Sequence, residues 1–522
     1  MNRKALATKT VVASVLYYII TGLFGFIDRK VFAVYLGQEI LGLNGLLVSV
    51  ISMLSLLELG VAGSIGFSLY KPLEEDDRGQ IKGIILLLGR FYRYIGLAVA
   101  LVGTALIPLL PVLVKSSLPL SYVRAAYLLF LADTVLTYFT SYRRILLQAS
   151  QRDYINKNTD IIAFALVSLL KILLIVVWKA YLLSLAVKIV FTLIANLYLY
   201  RYTGTAFPYL RDDALRGGVS EETKKLISDN VRALFVIKLS TYLVFGTDNL
   251  LLSFFVGIEA VAVYQSYTVI INLVNSLFNN VFSYIIANIG SYILSRSKEE
   301  TYDLYKKIFF ANFAICTYTS TALLVLLNPF IRGVWLGENY VFAAPVVVIL
   351  IFNNYSRFVT QGTEAFRGAA GLYSPRPYIK YLALAEGAVN IVFSILFAKG
   401  LNMGVTGVFL GTTVSTLVST VSLPWIVYKF LFGRPLREYW GKYFQYLLIF
   451  LACALGSLWL YTALESAHVL LNLLLGLVIS AVIPIAVIAA LYRKSEEWQY
   501  FYRLVMAVLQ NVRQKLPGAK QR

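Results

Sequence analysis

The sequence predicts an all-α integral membrane protein of about fourteen transmembrane helices: two six-helix bundles plus two extra C-terminal helices. Three observations carry this reading. Hydrophobic residues make up 59% of the chain and charged residues only 14%, with a mean hydropathy of +0.73, whereas a soluble domain carries about 25% charged residues. Apolar stretches recur from Val11 almost to the C-terminus, each long enough to cross a hydrocarbon core roughly 30 Å thick, which takes about 20 residues. The loops between them are basic on alternate sides.

The apolar runs place spans near 10–36, 43–70, 84–112, 122–147, 159–178, 180–202, 231–256, 260–293, 308–327, 345–366, 378–398, 404–428, 443–461 and 469–492. An even number puts both termini on one side of the membrane. The N-terminus, the loops 71–82, 143–157, 201–232, 294–307, 367–380 and 429–442, and the tail together hold 34 Lys and Arg. The opposite loops hold five: Lys115, Arg124, Lys179, Arg332 and Lys399. Basic loops stay cytoplasmic, so both termini are expected there. The net charge of +20 is therefore a topology signal and not a nucleic-acid footprint. Cys316 and Cys453, the only two cysteines, both lie in apolar spans and build neither a disulfide framework nor a zinc site.

An internal repeat divides the spans. Phe24-Gly25 precedes Asp28, which is followed by Gly37 and Glu39; Phe245-Gly246 precedes Asp248, which is followed by Gly257 and Glu259. Counted from the aspartate, glycine and glutamate fall at the same offsets in both copies. The copies start six helices apart, an even number, so the bundles are parallel repeats about an axis along the membrane normal, a plan in which substrate sits between the halves. The expected domains are a bundle over 1–202, a cytoplasmic connection over 203–230, a second bundle over 231–428, and helices 13 and 14 over 429–492. A cytoplasmic tail over 493–522 follows, where Trp498, Phe501, Val505, Val508 and Val512 recur at helical spacing, as in a helix lying on the inner membrane surface.

Charges inside spans mark a hydrated or protein-lined interior, because a charge at mid-bilayer costs at least about 2.5 kcal/mol. Eight basic residues are assigned to spans and not to loops (Arg29, Lys30, Arg90, Arg93, Lys171, Lys188, Lys238 and Arg357), and the spans also carry the acids Asp28, Glu58, Asp133, Asp248, Glu364 and Glu386. Arg357 shares a helical face with Asn353, Gln361 and Glu364, as a binding surface or as a seam between helices. Arg90 and Arg93 lie on one face of the third span, lining a cavity or snorkelling to the inner surface. Glu58 reads as a proton site, a partner for Arg29, or a neutral buried acid. Asn272, Asn275 and Asn279 form an amide stripe on the eighth span, which suits helix packing as well as sugar hydroxyls, since an amide both donates and accepts. A positively charged cavity with amides and many tyrosines fits an anionic, sugar-bearing substrate.

The run from Arg29 through Leu36-Gly37, Leu41-Gly42-Leu43-Asn44-Gly45-Leu46 and Leu54-Ser55-Leu56-Leu57-Glu58-Leu59-Gly60 to Phe67-Ser68-Leu69-Tyr70-Lys71-Pro72-Leu73 resembles bacterial polysaccharide flippases. These are the Wzx-like transporters of the MOP (multidrug/oligosaccharidyl-lipid/polysaccharide) exporter superfamily. The resemblance implies a MATE-like V of two six-helix bundles with two added helices. It also implies translocation of undecaprenyl-pyrophosphate-linked oligosaccharide repeat units from the inner to the outer leaflet of the bacterial cytoplasmic membrane, by alternating access, for surface polysaccharide assembly. Arg29 matches the basic position of such flippases in their first span; lipid II flippases of the superfamily carry Arg-Asp where this chain has Asp28-Arg29. Other polysaccharide assembly proteins are expected partners, beside membrane lipids. Arg90, Arg93, Lys171, Lys238 and Arg357 join Arg29 as expected pyrophosphate contacts. Asn272, Asn275, Asn279, Asn353 and Gln361 are expected sugar contacts. Coupling to H+ or Na+ would run through Asp28, Glu58, Asp248 or Glu364, with no other cofactor. The rival readings are a multidrug exporter of the same superfamily and, from another class, a membrane polysaccharide polymerase or glycosyltransferase. The drug exporter fits poorly with the excess of basic residues over acids in the spans. The membrane enzyme would need a larger loop and a nucleophile–base pair, neither of which the sequence offers.

Overall fold

The computed structural model describes residues 3–58, 61–212, 214–215, 217–221, 223–225, 227, 239, 242–243, 246–372, 377–503 and 506. Among the described residues every regular element is a helix. The chain forms two compact units, Met1–Gln265 and Ser266–Arg522.

The first unit contains α1 (Arg3–Tyr35), α2 (Gly37–Leu54), α3 (Val61–Ser68), α4 (Tyr70–Glu74), α5 (Arg78–Ala105), α6 (Leu110–Leu113), α7 (Leu120–Thr140), α8 (Arg144–Ala149), α9 (Asp153–Trp178), α10 (Tyr181–Ala206) and α11 (Asp248–Phe255). α12 (Ile258–Ser295) starts in this unit and ends in the next. The second unit contains α13 (Lys298–Phe330), α14 (Ala344–Phe358), α15 (Gln361–Ala369), α16 (Pro377–Ile395), α17 (Gly404–Val427), α18 (Arg437–Ala463) and α19 (Val469–Tyr492). Eleven stretches among the described residues are long and apolar enough to cross a membrane. Helix starts follow local chemistry: Asp77 accepts from the Gln80 amide at the head of α5, and Ser297 with Glu300 forms a capping box on α13, each satisfying amides that have no partner in the first turn.

Two expected continuous spans are broken. The second span, expected over 43–70, ends as α-helix at Leu54, tightens into a 3₁₀ turn over Ser55–Glu58, and resumes as α3. Ser49, Ser52 and Ser55 each donate to the carbonyl four residues back, a bonding mode that bends helices. The tenth span, expected over 345–366, stops at Phe358 and restarts at Gln361. A break at this depth leaves carbonyls without intrahelical donors, which a membrane protein must satisfy from elsewhere. Asn312 of α13 does so: its Nδ2 donates to the carbonyls of Phe358 at 2.9 Å and Val359 at 2.7 Å.

The repeat seen in the sequence has a backbone counterpart. Gly37 and Gly257, at equal distance from Asp28 and Asp248, both take positive φ, +82° and +143°, a region open to glycine and costly for other residues. The two turns touch: Gln38 Nε2 donates to the Glu259 carbonyl at 3.4 Å, and the Ile258 carbonyl packs so tightly on Gly42 that a Cβ there would overlap it. Nearby, the Ile258 amide donates to the Lys115 carbonyl at 3.2 Å, and Glu39 accepts from the backbone and hydroxyl of Ser117.

The described residues of the connection after α10 pack against α5. Lys82 donates to the Asp212 carbonyl at 2.5 Å, and Gln80 Nε2 to Ser220 and Thr223 at 3.4 and 3.2 Å. Gly83 and Gly218 meet backbone to backbone. In the second unit, α18 and α19 pack on α13 through an aromatic core. Phe313 stacks on Tyr446 at 4.0 Å and Tyr355 on Phe450 at 3.8 Å. Residues 496–503 of the tail are helical, and Trp498 and Phe501 pack against this same core; Val505, Val508 and Val512 lie outside the described residues.

Candidate functional site

In the first unit, α1 offers Asp28 and Arg29 in succession, about 100° apart around the helix axis, so the two side chains meet different neighbours. Both are buried. Asp28 turns to α9, where Lys171 forms an ion pair with its Oδ2 and Ser168 donates at 3.4 Å. The Lys171 ammonium also sits 5.5 Å over the Phe32 ring, a cation–π contact. Asp28 Oδ1 is buried with no hydrogen-bond donor among the described residues. Arg29 donates to the Ala262 carbonyl at 2.6 Å. Two cations against one carboxylate leave buried Asp28 and Arg29 with half-buried Lys171 at one formal positive charge.

Three further acids that the sequence places in spans, Asp248, Glu58 and Asp133, also have partners in this unit. Asp248 opens α11, where the positive end of the helix dipole favours a carboxylate, and accepts from Tyr264 at 3.0 Å. The two repeat aspartates thus differ in place, Asp28 inside α1 and Asp248 at the start of α11, though each stands nine residues before its positive-φ glycine. Glu58 accepts from Tyr92 at 3.1 Å, so tyrosine takes the place that the sequence offered to Arg29. Asp133 pairs with Lys188 at 3.0 Å. Arg90 and Arg93 are both exposed. Arg93 donates to its own Gly89 carbonyl at 3.3 Å and lines a cavity with Phe139, Tyr142 and Tyr200. Lys238 lies outside the described residues.

In the second unit, a group of charges gathers at the broken helix. Arg357 occupies the last turn of α14, and its Nε donates to Thr416 at 3.3 Å. Thr360, in the break, donates to the Arg357 carbonyl at 2.8 Å. Glu364 of α15 pairs with Arg367 at 2.8 Å, so Arg367, read from sequence as a loop residue, belongs to the cluster. Buried Glu386 accepts from Ser419 at 3.2 Å and feels the charges of both Arg357 and Arg367. Discontinuous membrane helices of this kind build substrate and ion sites in transporters. Gln361 begins α15 and is half-buried.

The amides divide. Asn353 is buried and engaged on both sides, donating to the Phe409 carbonyl at 2.9 Å and accepting from Thr413 at 2.8 Å, which makes it part of helix packing. Asn275 donates to Asn354 at 2.8 Å, and Asn272 is exposed. The side chain of Asn279 lies outside the described residues. Sequence reasoning missed Asn312, Arg367 and Tyr92; the isolated amide in the apolar run Phe309–Ile315 is the signal that marks Asn312. Among the described residues no three His, Cys, Asp or Glu side chains come together as a metal site.

A protein-family model described as "Polysaccharide biosynthesis protein" matches residues 7–286. No curated protein matches the chain. Among solved structures, "Lipid II flippase MurJ, inward closed conformation" aligns with a TM-score of 0.62 at 13% identity, covering 92% of this chain and 99% of that one. An inward-facing "multidrug resistance MATE family transporter of the MOP superfamily" aligns with a TM-score of 0.57 at 17% identity, covering 80% and 98%. At such identities the likeness establishes the fold.

Proposed function

The chain belongs to the polysaccharide biosynthesis protein family, and from that premise we propose that it is a flippase for polyprenyl-pyrophosphate-linked oligosaccharides. It moves repeat units from the inner to the outer leaflet of a bacterial cytoplasmic membrane by alternating access, with both termini in the cytoplasm. The observation that carries the reading is the net-positive group made by buried Asp28 and Arg29 with half-buried Lys171. A diphosphate leaving water needs cationic donors to offset its desolvation. Arg29, whose guanidinium is always charged and forks onto phosphate oxygens, binds the head; Lys171 exchanges Asp28 for the substrate as the pyrophosphate enters. Arg357, at the broken helix of the second unit, is a further proposed phosphate contact. The sugars meet Asn272, Asn275 and Gln361, and the polyprenyl tail stays in lipid. Lys238, Arg90 and Asn279 remain further proposed contacts. Coupling to H+ or Na+ runs through Asp28, Asp248, Glu364 or, foremost, Glu58, which accepts from the Tyr92 hydroxyl.

The test is flipping of a defined polyprenyl-pyrophosphate oligosaccharide by the purified protein in liposomes, with and without an imposed ion gradient. Arg29→Ala is expected to lower the rate at least about ten-fold, the loss of one charge-assisted contact, while Arg29→Lys keeps part of it. Normal flipping by Arg29→Ala would overturn the assignment. Export of cationic drugs without oligosaccharide flipping would replace it with the exporter reading.

A further inference from the structure

Glu386 on α16 is buried, 9% exposed, and has no role in the substrate contacts assigned above. Its Oε1 accepts from Ser419 at 3.2 Å, while Arg357 donates to Thr416 at 3.3 Å. Thr416 and Ser419 stand three residues apart on α17, where side chains are neighbours, and the Ser419 hydroxyl also reaches the Thr416 carbonyl at 3.0 Å. Glu386 and Arg357 thus meet one face of α17. That helix carries no charged residue from Gly404 to Val427. The other charges come from α15: Arg367, which acts on the Glu386 carboxylate together with Arg357, and Glu364, which pairs with Arg367 at 2.8 Å. On α16 itself the other charged residue is Lys380, whose side chain lies outside the described residues.

The formal charges of Arg357, Arg367, Glu364 and Glu386 sum to zero. The group around Arg29 keeps one positive charge; this one has none in surplus. A diphosphate drawn to Arg357 brings its negative charge beside two carboxylates, and like charges disfavour one another strongly where the dielectric is low. Glu364 tolerates this, because its side chain is 31% exposed and its cation sits one turn away on the same helix. Glu386 is held inside, and its hydrogen-bond donor among the described residues is a single hydroxyl. A buried carboxylate facing a second anion loses its charge by taking a proton.

We propose that Glu386 takes up a proton as the pyrophosphate head binds Arg357, so that head group and proton enter the second unit together. The proposal rests on Arg357 as a phosphate contact and adds the acid that answers it. The proton comes from water and goes to Oε2, because Oε1 accepts from Ser419. The neutral acid then has an O–H to donate to a phosphate oxygen, so a repelling group becomes a ligand. This proton is a counter-charge for the head group, separate from the gradient coupling assigned to other acids. By linkage, a proton taken up on binding makes binding tighter as pH falls.

Farnesyl pyrophosphate, which carries the diphosphate without sugars, is the probe, added to the purified full chain in detergent. Infrared difference spectra, bound minus free at neutral pH, should show the C=O stretch of a protonated carboxyl, and Glu386→Gln should remove it. Glutamine keeps the shape and still accepts from Ser419, so this variant should bind the probe at least as tightly as the unsubstituted protein. Toward low pH the affinity of the unsubstituted protein should rise more steeply than that of Glu386→Gln, by up to about ten-fold per pH unit for one proton. The comparison cancels the titration of the probe itself. Binding without the carboxyl band, or a band that survives in Glu386→Gln, would overturn the proposal and leave Arg357 as a phosphate contact. Unchanged affinity in Arg357→Ala would strike that contact itself, and the proposal with it.

Discussion

The Arg29 guanidinium donates to the Ala262 carbonyl across 2.6 Å, and this bond joins the first copy of the internal repeat to the helix that follows the second. The neighbouring contacts of Gln38 with Glu259 and of Gly42 with Ile258 make that junction dense. Arg29 is thus a packing anchor as well as the proposed phosphate contact.

Gly42 has no room for a side chain. Gly42→Ala should lower stability by about 1–3 kcal/mol through overpacking, read as a fall in Tm of the purified protein. Gly22→Ala, where nothing lies within 4 Å, should leave Tm unchanged or raise it slightly. Equal behaviour of the two would remove the junction as a packing constraint.

Removing one partner of the Asp28–Lys171 pair leaves a buried charge alone, at a cost of about 3–5 kcal/mol. Lys171→Met and Asp28→Asn should each destabilise the protein, and the double variant should recover much of the loss, because neither charge then remains. A double-mutant cycle of thermal or denaturant unfolding in detergent checks this, and strictly additive losses would contradict the pairing.

Asn312→Leu should expose two carbonyls to an apolar surrounding and cost about 1–3 kcal/mol for each one left unsatisfied. Hydrogen exchange around Phe358–Gln361 should accelerate in that variant, with little change in α18. Asn312→Asp should not rescue it, since an ionised carboxylate cannot donate.

Gly83→Val should push the segment around Gly218 off α5, because a Cβ at Gly83 meets the Gly218 backbone. Limited proteolysis within 208–225 should then rise several-fold while the helical core stays intact. Unchanged cleavage would mean that the Lys82 and Gln80 bonds hold the segment unaided.

The spanning helices were legible because lipid imposes one rule on every stretch, and the paired turns because glycine alone tolerates the φ of Gly37 and Gly257. Partner choice was not legible. Lys171 and Lys188 look alike in sequence, yet one meets Asp28 and the other Asp133, a matter decided by which helices lie side by side. The breaks after Leu54 and Phe358 were hidden for a related reason: serines and threonines sit in straight membrane helices too, and whether they bend one depends on neighbours such as Asn312. Asn353 looked available as a sugar ligand and is consumed by Phe409 and Thr413.

The position of Asn312 ahead of the break has a consequence for biogenesis. Synthesis is vectorial, so α13 reaches the bilayer before α14 and α15 leave the ribosome. The amide that will serve the Phe358 and Val359 carbonyls is already in place when they arrive. The later segment can enter beside a waiting donor and avoids presenting bare carbonyls to hydrocarbon, where each costs several kcal/mol. Chain order itself thus acts as an insertion chaperone for this broken segment.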